Sequence, residues 1–468
     1  MTRTGTPGRT FEQRAHVLLG QPSIGRNLGS ALDTMLGTRA ALLAGTDLEA
    51  MRTAGEQIRA HTIANLAGYL EEWSEKAEAR GTRVFFADTG AEAVNYVRDV
   101  CRRRHASLVV KGKSMASEEI ALADALETDG IEVLETDLGE YIQQIAEEPP
   151  AHIIAPAVHR SRGEVRALFN RVHGTDLSDE PARLTAFARE HLRAKFMEAD
   201  VGITGVNFAI AETGSISIVT NEGNGRMSSS LPPVHIAIMG MERILPSFRE
   251  LTVMLPLLTA SATGQRVSTY YNVISGPRRP EDPDGPEELH VVVLDNGRSA
   301  ILPTEYRSIL HCIRCGACQN VCPVFRQVSG HAYGSVYGGP IGAVLTPLLR
   351  GMEEAGDLPH ASSLCGACTD ICPVKIPLHE HLLGLRRDGA RERAGAAERT
   401  TFRLWSWAWS SPRRYRLFAR LSRLGQFPFA RGNRVRRAPF PLSRWTRGRD
   451  LPTVARRTFR ERWSDRGA

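Results

Sequence analysis

No stretch of this chain is long and apolar enough to cross a bilayer. The longest candidate, Leu251 to Thr263, runs for 13 residues and contains Pro256, against the roughly 20 that a spanning helix needs. The opening MTRTGTPGRTFEQRAHVLLG lacks an apolar stretch, so export is not expected. No Gly-x-Gly-x-x-Gly occurs, which leaves a dinucleotide-binding crossover unsupported. Gly112-Lys113-Ser114 looks like the end of a phosphate-binding loop, but the Gly required upstream falls at Ser107. Without that Gly-rich cradle, nucleotide hydrolysis is excluded. Aromatics are scarce, at 6% of residues, so where they concentrate is informative.

What is present is an ordinary globular composition, 42% apolar and 24% charged, over 468 residues. That length predicts two to four domains. In a reducing compartment the eight Cys read as metal ligands or core residues, not disulfides. The charge is uneven. From Arg386 to Ala468 there are 23 Arg, no Lys and six acids, so the rest of the chain is acidic although the whole carries +7. Five of the six Trp lie in this basic tail. Within it Leu417, Phe418, Leu421 and Leu424 share one side of a helix, and Arg416, Arg420 and Arg423 another. Such a segment suits a partner protein or a membrane surface. No nucleic-acid fold accompanies it.

Up to about residue 80 the pattern is helical, with Leu28, Leu32, Met35 and Leu36 at helical spacing. Short apolar runs then alternate with helical stretches. Strands are expected at Val84–Ala87, Leu108–Val110, Ile131–Leu134 and Ile153–Ala155, which argues a parallel α/β sheet. One long helical stretch is expected from Glu164 to Ala199. Val206–Ile210, Ile216–Val219 and Val234–Met239 read as strands closing the same sheet. Leu251–Leu258 reads as a buried helix, Gly276–Pro286 as a loop and His290–Leu294 as a last strand. The domain boundaries expected are 1–80 (helical), 81–300 (α/β), 301–385 (cysteine-bearing, helical) and 386–468 (basic extension).

Seven of the eight Cys fall within 61 residues, as Cys312-x2-Cys315-x2-Cys318-x3-Cys322-Pro and Cys365-x2-Cys368-x3-Cys372-Pro. Both runs contain Cys-Gly-Ala-Cys, an imperfect internal duplication. The first run has the bacterial ferredoxin spacing for an iron–sulfur cluster. Zinc sites also use Cys-x2-Cys pairs, but need neither seven Cys nor a repeated Cys-Pro. In two-cluster ferredoxins the fourth Cys of a run ligates the other cluster. Cluster one is then expected on Cys312, Cys315, Cys318 and Cys372, as a [4Fe–4S]. Cluster two is expected on Cys322, Cys365 and Cys368. Its fourth position is Ser362 instead of Cys, so it is a [4Fe–4S] with a non-Cys or open ligand, or a [3Fe–4S]. Ser362 and His360 are the nearby candidates, although Ser362 is more simply a helix cap, with solvent or a partner subunit filling the site.

These features resemble the lactate utilisation protein B family of iron–sulfur proteins. The resemblance rests on Val110-Lys-Gly-Lys-Ser-Met-Ala-Ser-Glu-Glu119, on Ala211-Glu-Thr-Gly-Ser215, on Thr220-Asn-Glu-Gly-Asn224 and on both cysteine runs. It implies an α/β domain similar to the sugar-phosphate isomerase and CoA-transferase fold, here called LUD-type, then a helical two-cluster ferredoxin domain and a basic extension. It also implies a role in oxidising L-lactate to pyruvate; composition and the opening residues lead us to expect a cytoplasmic protein, free or at the inner face of the membrane. Two companions are implied: a second Cys-rich subunit and another LUD-type protein.

Other motifs have plain readings beside the functional ones. Asn221-Glu-Gly-Asn-Gly-Arg226 is either a turn or an anion-holding loop completed by Arg226. Glu212 is either solvated or an acid/base, and Cys101 reads as core. His379 and His381 are two apart and do not share a helix face. Two function classes remain: an electron-transfer subunit of a lactate-oxidising complex, and a metabolite-binding module whose clusters report redox state. Adjacent clusters make a wire, whereas a sensor needs only one, which favours the first class. No flavin motif or hydride-abstracting side-chain set stands out, so the protein alone is expected to be inactive toward lactate.

Overall fold

A computed structural model describes residues 9–393, 395–440, 442–446, 449–455 and 457–465. The chain divides into two compact units, Met1–Asp388 and Gly389–Ala468.

The first unit is built on ten strands: β1 (Arg83–Ala87), β2 (Leu108–Lys111), β3 (Glu132–Glu135), β4 (Val201–Gly205), β5 (Phe208–Ile210), β6 (Ser215–Thr220), β7 (Val234–Gly240), β8 (Ile244–Leu245), β9 (Tyr270–Ile274) and β10 (Glu288–Leu294). Six form one parallel sheet in the order β1-β10-β7-β4-β2-β3. Its central strands are buried on both faces, β7 along its whole length, which is why they read as unbroken apolar runs. The other four form a second sheet, β8-β5-β6-β9, of mixed direction. The expectation that residues 206–210 and 216–219 close the first sheet is therefore corrected. Those segments pair antiparallel with each other, and their partners are β8 and β9.

Three further differences have local causes. Strand β4 was not expected, because Gly202, Thr204 and Gly205 dilute its apolar pattern. Gly202 is required there: a Cβ would meet the Ser228 carbonyl oxygen at 1.8 Å. The long helix expected over 164–199 is two helices, Arg162–His173 and Pro181–Glu198. Gly174, at φ +64°, ends the first, and Pro181 opens the second. Residues 153–155 form no strand. This segment is a loop whose Ile153 N–H donates to Gln319 Oε1 at 3.1 Å, so its apolar residues pack on the cysteine-bearing helices.

Helices Phe11–Leu19 and Pro22–Leu43 also pack on that cysteine-bearing region. Arg14 Nε donates to the Ala332 carbonyl at 2.8 Å, and Phe11 meets Tyr333 edge-on at 5.2 Å. Between the two cysteine runs the chain is largely helical, with Gly339–Arg350 as the longest element. The second unit contains helices Ala396–Trp409 and Pro412–Gly425. Leu417, Leu421 and Leu424 are exposed on the latter, and Trp407 packs on Phe418 at 6.1 Å. Among the described residues no helix is long and apolar enough to cross a membrane.

Candidate functional site

The duplication seen in the cysteine runs is a duplication of backbone shape. Arg314 and Leu364, one before Cys315 and Cys365, both have positive φ, +58° and +55°. Gly316 and Gly366 follow at +81° and +83° and start five-residue helices, Ala317–Val321 and Ala367–Ile371. Each helix ends at an extended Cys, Cys322 or Cys372, before Pro. Alternating left- and right-handed residues turn successive N–H groups to one side, a concavity suited to an anionic cluster. The Arg314 N–H points at Cys312 Sγ (3.4 Å), Phe325 N–H at Cys322 Sγ (3.5 Å) and Ile376 N–H at Cys372 Sγ (3.4 Å).

The fold brings the first run and the last Cys together. Cys312, Cys315, Cys318 and Cys372 line one small apolar cavity with Ile153, Ile341 and Val374. Cys368 faces Cys322 and Cys365 instead. Burial, then the neighbouring thiols, pushes Cys315 up to about 12, and burial pushes Cys372 to about 12 and Cys368 to about 11. Cys315 and Cys372 are buried and Cys312 and Cys318 partly so around this one small apolar space, and backbone N–H groups already stand ready for thiolates. That donor set fits iron–sulfur clusters. Cys365 differs: it is exposed, and hydrogen bonds from the Ala367 N–H and Ser363 lower its pKa.

Tyr333 escapes sequence reasoning. Its buried hydroxyl lies beside the Cys322 thiol with no completed hydrogen bond among the described residues. Ser362 Oγ instead accepts from the Leu364 N–H at 3.1 Å, a local turn. His360 is exposed near Asp357 and Arg386, and partial desolvation, then Arg386, lowers its pKa. His379 Nδ1 pairs with Thr369 Oγ1 (2.8 Å) and His381 Nε2 with Ser308 Oγ (2.6 Å).

A second cavity, of about 270 Å³, lies over the carboxyl ends of the parallel strands, the usual place for a ligand in such sheets. Gly112 to Ala116 follow β2, Val206 and Asn207 follow β4, and Glu242 and Arg243 follow β7. Cys315 and Arg314 line this cavity as well as the thiol cavity, so one cysteine loop is a shared wall. Charge is concentrated there. Arg298 Nε bonds Glu242 Oε2 at 2.9 Å, and Arg314 Nη2 reaches Glu242 Oε1 at 3.3 Å. Arg298 also grips Glu119 bidentately at 2.7 and 2.9 Å, and Tyr337 donates to Glu119 at 2.6 Å. Burial opposes charge on Glu242, but Arg298, Arg314 and Arg243 outweigh it and hold the carboxyl at about 2. Gly240 makes room, since a Cβ would meet Glu242 Oε2 at 2.2 Å.

Beneath the cavity loop, Lys111 is fully buried at 2.7 Å from Glu118, 2.9 Å from Glu135 and 3.9 Å from Glu140. Burial works against its charge, yet the three carboxylates hold it above the ordinary lysine range.

Several sequence candidates find structural places. Lys113 Nζ donates to the Ile154 carbonyl at 2.6 Å, and Ser114 caps helix Met115–Glu119. Thr220 to Glu222, Asn224 and Gly225 line the cavity, but Arg226 is exposed and does not; the basic groups there are Lys113, Arg243, Arg298 and Arg314. Glu212 is exposed outside the cavity and accepts from the Phe248 N–H at 3.2 Å. Cys101 is core.

Comparison with known proteins matches three family models: a LUD domain over residues 70–294, a 4Fe-4S dicluster domain over 308–376, and the C-terminal region of lactate utilisation protein B over 384–468. The chain is 49% identical to a lactate utilization protein B from Bacillus licheniformis, over 89% of this chain and 88% of that one. It is 50% identical to one from Bacillus velezensis over the same shares. A Bacillus cereus relative of the same name is 49% identical over 95% of each chain.

Proposed function

The chain belongs to the lactate utilisation protein B family, and from that premise we propose that it is the iron–sulfur electron-transfer subunit of a complex oxidising L-lactate to pyruvate. The observation that carries the reading is the shared wall. Cys315 borders both the cavity over the strand ends and the cavity lined by Cys312, Cys318 and Cys372. At the other end, Cys365 is exposed where a partner can approach. Clusters supply one-electron transfer when bound. The chain's contribution is placement: one thiol group beside a ligand-sized cavity, a second reaching the surface.

On this reading Cys312, Cys315, Cys318 and Cys372 hold the first cluster, a [4Fe–4S]. Cys322, Cys365 and Cys368 hold the second, a [4Fe–4S] or a [3Fe–4S]. The two companions are a second Cys-rich subunit and another LUD-type protein. The protein works in the cytoplasm or at the inner face of the membrane, where the Arg/Trp-rich second unit would dock on a partner or on lipid.

Lactate-dependent dye reduction tests the assignment. The purified chain is expected to be inactive with L-lactate, because it carries no evident hydride acceptor. Adding both companions should give turnover, with the cluster EPR signals of this chain appearing on lactate addition. Robust turnover by the chain alone would overturn the division of labour. Turnover by the assembly while these clusters stay oxidised would favour a redox sensor instead.

A further inference from the structure

We propose that the cavity over the strand ends is a binding site for a small organic carboxylate, seated on Arg243 and hydrogen-bonded by Asn207, against the wall that Cys315 forms. The proposal rests on the preceding reading for the choice of acids to test, not for the existence of the site.

The first observation is a guanidinium without a hydrogen bond, held only by one long ion pair. Arg243 is largely buried and lines the cavity, yet makes no hydrogen bond among the described residues. Its nearest acid is Glu242, with Nε 3.9 Å from Oε1. Both Glu242 oxygens are already engaged, by Arg298 at 2.9 Å and Arg314 at 3.3 Å. Around Glu242, four guanidinium groups (Arg59, Arg243, Arg298, Arg314) meet two carboxylates (Glu242, Glu119), so positive charge is in excess; Arg59 spends its N–H groups on backbone carbonyls, whereas Arg243 makes no hydrogen bond among the described residues. Burying such an excess is costly, and a carboxylate arriving from solvent would offset it. A planar carboxylate also matches the guanidinium fork.

The second observation is orientation. At the other side of the cavity stand Asp137 and Glu222. They lie close enough for Asp137, after burial, to raise the Glu222 pKa, and Lys113 offsets them only in part. An anion is repelled there and drawn to Arg243, so an acid enters head-first. Asn207 spends its Oδ1 on the Val219 N–H at 2.8 Å, which leaves its NH2 as a donor for a second oxygen on the acid. The cavity's roughly 270 Å³ is at the small end of ligand-site sizes, and Leu258 and Ile218 give it apolar wall for a short carbon chain.

A competing use of the same charge exists. Cys312 also feels Arg243 and Arg314, so the excess could serve only to balance thiolates. Calorimetry on the anaerobically reconstituted full chain separates the two. The titrants are L-lactate, pyruvate, the uncharged lactamide and inorganic phosphate. The expected result is that at least one carboxylate binds while lactamide does not. Arg243→Gln should weaken that binding roughly ten- to hundredfold, the loss of a charged hydrogen-bond pair, with Arg243→Lys retaining part of it. Should Arg243→Gln lose its iron, Asn207→Ala is the second test and should also weaken binding. No carboxylate binding, phosphate binding alone, or unchanged affinity in iron-replete Arg243→Gln with only a shifted cluster potential would each overturn the proposal. Missing binding with lactate turnover intact in the assembly sinks this site alone. Binding without turnover sinks the electron-transfer reading alone.

Discussion

Cys372 and Cys322 should each damage the cluster that their position in the sequence does not suggest. Cys372 closes the second run, yet its side chain joins Cys312, Cys315 and Cys318 around one small cavity. Cys322 closes the first run, yet it faces Cys365 and Cys368. Wild-type protein, reconstituted without air, should hold roughly seven to eight iron per chain. Cys372→Ser takes one of four thiolates from the first group and replaces the sulfur that accepts from the Ile376 N–H. Loss of that cluster would cost about four iron, half the content, and leave the second group's iron in place. Iron and sulfide analysis gives the amount, and EPR of the reduced protein gives the identity. Cys372→Ser should lose the same signal as Cys312→Ser, and Cys322→Ser the same signal as Cys365→Ser. The second cluster, with three thiolates, should also be the one that air or ferricyanide converts to a [3Fe–4S] form. If Cys372→Ser and Cys365→Ser erase the same signal, ligation is not crossed. One or two zinc per chain without sulfide would refute iron–sulfur chemistry altogether.

Two other outcomes follow from buried groups. Lys111→Met leaves Glu118, Glu135 and Glu140 without their shared cation, and should destabilise the protein by about 3–5 kcal/mol, read from denaturant or thermal melts. Burial raises the pKa of Glu135 and Glu140 in the folded protein; the stability their protons confer is present in acid and lost as pH rises through those values. The Lys111→Met deficit should therefore be larger at pH 8 than at pH 5, and a deficit below about 1 kcal/mol at both would show that the cluster is solvated. Tyr333→Phe removes the buried hydroxyl beside Cys322; with iron content unchanged, it should lower the second cluster's potential by roughly 40 mV, one hydrogen bond of about 1 kcal/mol, and no shift in a redox-poised EPR titration would show that the hydroxyl makes no contact with the cluster.

Local sequence signals carried much of the architecture. The Cys-Gly-Ala-Cys repeat predicts two alike loops, and Gly316 and Gly366 adopt matching positive φ values because nearest-neighbour geometry fixes that conformation. The parallel sheet was likewise legible, since β2, β7 and β10 are buried on both faces and read as plain apolar runs. What depends on distant partners was not legible. Residues 206–210 and 216–219 have the texture of strands, but no pattern in them says which sheet they join. Ile153 and Ile154 look like strand residues because they are apolar, and their apolar faces are used against the cysteine-bearing helices instead. Arg243 has no sequence signature. Its meaning comes from Arg298 and Arg314, 55 and 71 positions on, occupying the oxygens of the neighbouring Glu242. Of the loop weighed as an anion holder, Thr220 to Glu222, Asn224 and Gly225 line the cavity, whereas Arg226 is exposed outside it.

The α/β domain and the cysteine-bearing helices are joined by groups that neither could leave exposed alone. His152 Nε2 meets Asn320 Oδ1 at 2.9 Å, the Gly330 N–H donates to the Ala151 carbonyl at 3.0 Å, and Asn320 Nδ2 donates to the Ala262 carbonyl at 2.9 Å. Arg59, on the N-terminal helix Leu48–Ala64, reaches carbonyls on both sides, Ile244 at 2.8 Å and Leu310 at 3.0 Å. Breaking such buried bonds leaves unsatisfied donors, so the two parts are held in one register. That register is what sets Arg314, a residue of the cysteine loop, against Glu242, a residue of the cavity. Charge on one side of the shared wall is then felt on the other through a low-dielectric interior. An anion in the cavity and added negative charge at the thiol group must oppose each other, and by linkage each weakens the other to the same degree. On the proposed reading, an acid in the cavity binds best when the neighbouring group is oxidised and less tightly once it is reduced.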